Sequence, residues 1–163
     1  MGDLDLVSKL TDEERRLEEF SLRCISPDDG KYGKDSRKLA RYLSAEAEWM
    51  GCADLQKIIL ETRMDFGKAE RKHLDELDSI WHKLSPLNMS LIEKEITKHD
   101  QLAVIEEIGI FVSEETKALL HPGTTSYDIL DTVRSYLFKK AWEEVIRSEV
   151  MTSVKKLCEL SEK

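Results

Sequence analysis

An all-α fold is the class this sequence predicts, on three observations. Only three prolines and seven glycines punctuate 163 residues, segments that alternate apolar and polar residues are scarce, and long stretches carry apolar residues at helical spacing. The predicted organisation is a small helical N-terminal domain over residues 1–121, followed over residues 122–163 by the first long helix of a helical-bundle central domain.

A first helix is predicted over 11–24. Thr11 stands at its cap, and Glu14 three residues on completes a capping box. The segment SPDDGKYGKD at 26–35 carries turn chemistry and is expected to break it. Helix resumes near Asp35, jointed at Ser44, and runs through Leu39, Leu43, Ala47, Met50, Leu55, Ile58, Ile59 and Met64 to Phe66, where Gly67 closes it. KAERKHLDELDSIWHKL follows, ended by Ser85 and Pro86; then come NMSLIEKEITKH and a helical piece over 101–111. From Ser126 onward no Pro or Gly interrupts the chain, and 38 helical residues make a rod of about 57 Å. Its apolar positions include Ile129, Val133, Tyr136, Leu137, Val145, Met151, Val154 and Leu157, with Trp142 off the main stripe. A rod of that kind needs more than one packing neighbour.

Charge narrows the function. With 33 acids against 25 bases the net charge is −8, so the averaged surface repels nucleic acid and anionic lipid. The densest basic stretch, RMDFGKAERKH at 63–73, is diluted by Asp65 and Glu70 and reads as a solvated helix surface. His73 and His82 are assigned to the surface with it. No stretch approaches the roughly 20 apolar residues of a membrane span, and the start lacks a signal peptide's basic and apolar regions. A cytoplasmic location is expected, with neither nucleic acid nor membrane as partner. The cysteines, Cys24, Cys52 and Cys158, have no CxxC or neighbouring His pair, so no metal site is expected. Cys52 and Cys158 are expected to pack as small hydrophobes. GxGxxG and GxxxxGK[ST] are both absent, against a dinucleotide or triphosphate site.

The stretch HPGTTSYDILDT at 121–132 is the most informative. Pro122 and Gly123 stop regular structure, and Thr125 or Ser126 can cap the helix that follows. The knuckle is then either a tight capped loop or an anion site. Helix N-termini present free N–H groups and a positive dipole end, to which the Thr125 and Ser126 hydroxyls would add donors.

Three stretches together resemble the fumarase/aspartase superfamily, and within it the adenylosuccinate lyases. HPGTTSYDILDT resembles the family's H-x-G-x-T-S-x-D-x-x-D-T segment. EKEITKHDQLAVIEEI at 93–108 resembles E-x-x-T-x-H-D-V-x-A, with Thr97, His99, Asp100 and Ala103 in place. SPDDGKY at 26–32 resembles S-P-x-D-G-R-Y, with Lys31 and Tyr32 where an Arg-Tyr pair approaches the nucleotide phosphate. The resemblance spans roughly residues 26–163.

What it implies is β-elimination of fumarate from adenylosuccinate, giving AMP, and from the succinylated imidazole ribotide of purine synthesis. No cofactor is implied, and the family works as a homotetramer whose sites draw on several subunits. His99 is implied to bind substrate and to help proton transfer; a histidine at a helix C-terminus, bonding free carbonyls, is the plain alternative. Lys31, Tyr32, Asp100, His121, Thr125 and Ser126 are implied substrate contacts, although His121 could simply pack the turn and SPDDG could be an ordinary turn. Lys31 offers a point charge where Arg offers a fork. The family's G-R-T-H-x-Q segment and its S-S-x-M-P-x-K-x-N-P loop, which the resemblance implies carries the base, are not found in these residues. The chain is therefore expected to be an N-terminal portion that is inactive alone. Another lyase or a cycloisomerase of the superfamily, or a helical interaction module without chemistry, are the alternatives.

Overall fold

A computed structural model describes residues 4–162, apart from the side chains of residues 30, 32 and 35. The chain is all-α, with no strand among the described residues. A short 3₁₀ turn at Val7–Lys9 leads into α1 (Asp12–Arg23). Thr11 and Glu14 form the predicted capping box, the Glu14 carboxylate accepting the Thr11 N–H at 2.9 Å. That same bond holds the Glu14 carboxyl below its ordinary range.

Helix α2 (Asp29–Leu43) starts six residues before the predicted point and runs through Gly33. Turn chemistry there makes only the entry. Asp29 accepts the Ile25 N–H at 2.7 Å and the Ser36 hydroxyl at 3.1 Å. These bonds tie the loop to the first turns of the helix and outweigh the glycine penalty of roughly 1 kcal/mol. At Ser44 the backbone turns extended and its hydroxyl caps α3 (Ala45–Asp65), accepting the Ala47 N–H at 3.2 Å. Gly67 ends that helix at φ +67°, the left-handed conformation a C-terminal glycine supplies.

Helix α4 (Arg71–Ile80) is followed by a 3₁₀ turn at Trp81–Lys83. Ser85 and Pro86 do not close that segment but open the next: Ser85 caps α5 (Pro86–Ile92) and Pro86 takes its first position. A π turn at Glu93–Thr97 ends with Lys98 at φ +51°. Then come α6 (Asp100–Gly109) and α7 (Glu114–Ala118). The long segment is helical from Ser126 to Ser161: α8 (Ser126–Ala141), a π turn at Trp142–Ile146, and α9 (Arg147–Ser161).

The core joins α3, α4, α5, α6 and the first half of the long rod. Cys52, Ala53 and Leu60 meet Leu77, Ile80, Met89, Val104, Ile108, Ile129 and Val133. Residues on both sides of position 121 therefore share one hydrophobic cluster. Beyond Ala141 the rod changes character: α9 buries no residue, and Val150, Met151, Val154, Leu157 and Leu160 are exposed. Cys158 is exposed too, contrary to the expected small buried hydrophobe, because its whole helix lacks a neighbour on that side. Among the described residues no helix is long and apolar enough to cross a membrane.

His73 is a second correction. It is 3% exposed on the core face of α4, beside Leu74 and Leu77, and its Nδ1 accepts the Glu70 N–H at 2.9 Å. The cap satisfies Nδ1, and the enclosed Nε2 lies 3.2 Å from the Glu115 carboxylate, so the ring turns inward with both nitrogens facing polar groups.

Helices α3 and α8 meet closely at Gly51, where an added Cβ would lie 2.5 Å from Val133 Cγ1. Gly51→Ala is expected to lower unfolding free energy by about 1–3 kcal/mol through overpacking, despite alanine's better helix propensity. Denaturant unfolding checks this.

Candidate functional site

The knuckle before α8 is built from two residues in left-handed conformation, His121 at φ +66° and Gly123 at φ +76°. Glycine takes that conformation freely; a histidine needs support. The His121 carbonyl receives it, accepting the Thr124 N–H at 3.1 Å and the Thr124 hydroxyl at 2.6 Å. The Arg63 guanidinium donates to the Pro122 carbonyl.

Thr125 is the N-cap of α8, and Asp128 completes a capping box by accepting the Thr125 N–H at 2.9 Å. Ser126 is the first helical residue, so its hydroxyl is not spent on the cap. It meets His99 Nε2 at 3.1 Å.

His99 lies at the start of a helix. It is the N-cap of α6, where Nδ1 accepts the Leu102 N–H at 3.4 Å. Lys98, in left-handed conformation, swings the chain out of the π turn, and Thr97 holds the corner, its hydroxyl donating to the His99 carbonyl at 2.8 Å. With Nδ1 used as an acceptor, the neutral ring carries its proton on Nε2 and donates it to Ser126 Oγ. The Ser126 hydroxyl proton is then left pointing away from the ring. Asp100 Oδ1 stands 3.3 Å from Nδ1 and accepts the Gln101 N–H at 2.5 Å. On protonation of His99 it would be the counter-charge.

Serine, histidine and aspartate thus stand in the order of a hydrolase relay. The Leu102 cap bond withholds the Nδ1 proton that such a relay requires, which makes Ser126 a donor rather than a nucleophile.

His121 sits beside this group. Burial, and then the nearby His99, hold its pKa below the ordinary histidine range, so it is neutral at neutral pH. Its Nδ1 contacts Gln56 Nε2 at 3.0 Å and Thr124 Oγ1 at 2.9 Å. Among the expected site residues, the structure therefore joins His99, Asp100 and Ser126, and sets Thr125 and His121 next to them. Lys31 occupies the exposed opening turn of α2, a different element. The side chain of Tyr32 lies outside the described residues.

Arg63, Gln56 and Gln101 are the residues that sequence reading missed. Arg63 was assigned to a solvated surface, yet it is half-buried with its Nε enclosed and unpartnered. Gln56 carried a signal: it follows Cys52 by four and precedes Leu60 by four, a polar residue inside a buried stripe.

A cavity of about 350 Å³ opens on the other side of Asp100, between Glu48, Lys94 and Arg134. Both cations are already paired, Arg134 with Glu48 at 2.7 Å and Lys94 with Glu18 at 2.5 Å. An anion would find no unspent positive charge there, whereas the α8 N-terminus offers N–H groups with no intrahelical acceptor. No cluster of three or more His, Cys, Asp or Glu fit to hold a metal occurs among the described residues.

Comparison with known proteins returns no match to a family model, to a curated protein or to a solved structure.

Proposed function

We propose that this chain is the N-terminal part of an adenylosuccinate lyase and carries part of a substrate site without the base. The observation that bears most weight is the His99 Nε2 to Ser126 Oγ bond at 3.1 Å. It joins two segments 27 residues apart, each resembling a separate motif of those lyases, at one helix N-terminus.

The chemistry of the reaction suits what stands there. Removing the Cβ proton of the succinyl group builds negative charge on the neighbouring carboxylate, and donors fixed in advance stabilise that charge. The Ser126 hydroxyl and the first N–H groups of α8 are such donors. Asp128 uses the Thr125 N–H and leaves those of Ser126 and Tyr127 to a ligand. His99 holds the serine oxygen through Nε2, and Asp100 stands 3.3 Å from the other ring nitrogen.

Titration of the chain with succinate or adenylosuccinate is expected to shift the Ser126 and Tyr127 amide signals and the His99 ring signals, and Ser126→Ala to reduce those shifts. AMP, which lacks the succinyl group, is expected to leave them in place. Shifts located elsewhere, with these residues unmoved, would overturn the assignment.

No fumarate is expected from adenylosuccinate on the isolated 163 residues. A missing general base costs about 10²–10⁴-fold even in an otherwise closed site, and a fumarate assay at high chain concentration checks this.

The second part of the proposal is a homo-oligomer built through residues 126–163. Tyr136, Phe138, Val150, Met151, Val154, Leu157 and Leu160 are all exposed, more than single scattered apolar residues on a monomer surface. Sedimentation over a concentration series is expected to show association, lost on shortening the chain to residue 139. A strictly monomeric full chain would count against it.

A further inference from the structure

A buried polar chain runs from the core to His121. Gln101 Nε2 donates to Cys52 Sγ at 3.4 Å, and Gln56 Nε2 donates to Gln101 Oε1 at 3.2 Å and reaches His121 Nδ1 at 3.0 Å. Gln56 and Gln101 are both fully buried at 0% exposure. Two buried glutamines in one helical core are costly, and each amide must find partners. Cys52 adds no charge, since burial pushes its thiol up to about 11.

The bonds have a direction. An amide N–H of Gln56 can approach His121 Nδ1 this closely only if Nδ1 is an acceptor, which puts the ring's single proton on Nε2. Thr124 fits either direction: its single hydroxyl proton goes to the His121 carbonyl at 2.6 Å or to Nδ1 at 2.9 Å, and its oxygen can equally accept from Nδ1. The reverse direction is open on paper: with both amides turned over, the thiol would donate to Gln101, Gln101 to Gln56, and Nδ1–H to the Gln56 oxygen. It would bury an NH₂ group where the Gln56 oxygen now stands enclosed and unpartnered. An orphaned buried N–H is the rarer and costlier of the two, since a carbonyl that lacks partners is better tolerated.

We infer that Gln56, oriented by Gln101 and Cys52, is a positioning residue that fixes His121 as the neutral tautomer with its proton on Nε2. His121 then offers a hydrogen-bond donor at Nε2, not a base. For the lyase proposed above, on which only this functional meaning rests, that makes His121 a donor to an anionic group of the substrate. The tautomer itself is a property of this chain alone.

The test is ¹⁵N NMR of the imidazole rings in the full chain at a pH where His121 is neutral, assigned through His121→Gln. Wild type is expected to show a protonated, pyrrole-type Nε2 and a bare, pyridine-type Nδ1. Gln56→Glu puts an obligate acceptor against Nδ1 and is expected to invert the pattern. Gln56→Met, which buries no charge, is expected to leave a mixture of both forms, as is Gln101→Met to a smaller degree. A merely structural role for Gln56 would change melting and not the tautomer. A pyrrole-type Nδ1 in wild type would overturn the inference, and so would an unchanged pattern in Gln56→Met. Should Gln56→Glu not fold, the other two spectra decide. A complete protein that fails to act on adenylosuccinate would remove the lyase and leave the tautomer standing.

Discussion

Ser126→Ala in the complete protein is expected to lower kcat/KM for adenylosuccinate by about 10²-fold, the loss typical of one donor removed from developing charge. Stability is expected to change little. Ser126 is the first helical residue and the cap belongs to Thr125, whose N–H bond to Asp128 at 2.9 Å remains when Ser126 loses its hydroxyl. Thr125→Val is the contrasting variant. It removes a cap worth about 1 kcal/mol while the Ser126 to His99 contact stays. The pair separates chemistry from folding: Ser126→Ala changes kinetics with a nearly constant melting curve, and Thr125→Val changes melting first. Equal and parallel losses in both variants would reduce the knuckle to a helix cap.

Glu107→Ala is expected to cost about 2–3 kcal/mol of folding stability, because one buried and one partly buried donor lose their acceptor. Glu107 is 1% exposed; Oε1 accepts the Ser85 N–H at 2.8 Å and Oε2 the Asn88 side-chain amide at 2.5 Å. Asn88 in turn holds the start of the described chain, donating to the Leu4 carbonyl and accepting the Leu6 N–H, each at 2.9 Å. Hydrogen exchange at the Leu6 amide is therefore expected to accelerate along with the global loss.

The pH dependence has a definite sign. Burial raises the Glu107 carboxyl above its ordinary range, and the Asn88 and Ser85 bonds only partly oppose that. The folded state then holds the proton more tightly than the unfolded state. This contribution is fully present below the ordinary glutamate range and is lost as pH rises through the folded-state value. Denaturant unfolding from acid to neutral pH should show the decline in wild type and a flatter profile in Glu107→Ala.

The features legible in the sequence were local ones. Thr11 with Glu14, Ser44 before an apolar stripe, and Gly67 after Phe66 each name a cap whose partner lies within four residues, and all three stand where they were expected. What failed depends on residues far away in sequence. The start of α2 was hidden because Gly30 and Gly33 oppose helix while packing on α3 and α8 supports it. His99 was expected at a helix end, but Lys98 in left-handed conformation makes it a helix start, a detail of one backbone residue. Motif likeness assigns Lys31, Tyr32, His99, Asp100, His121, Thr125 and Ser126 to substrate contacts; the fold sets Ser126 and Asp100 against His99, while Lys31 lies on another element. Gln56 and Gln101 escaped notice because their partner is each other across 45 residues, and hydrogen bonds of that range leave no spacing to read.

Fumarate release from adenylosuccinate by the complete protein that carries these residues tests the central claim most directly. The account predicts steady turnover with adenylosuccinate and with the succinylated imidazole ribotide, and a loss of about 10²-fold in kcat/KM in Ser126→Ala. No fumarate from either substrate, by a folded complete protein, would contradict it.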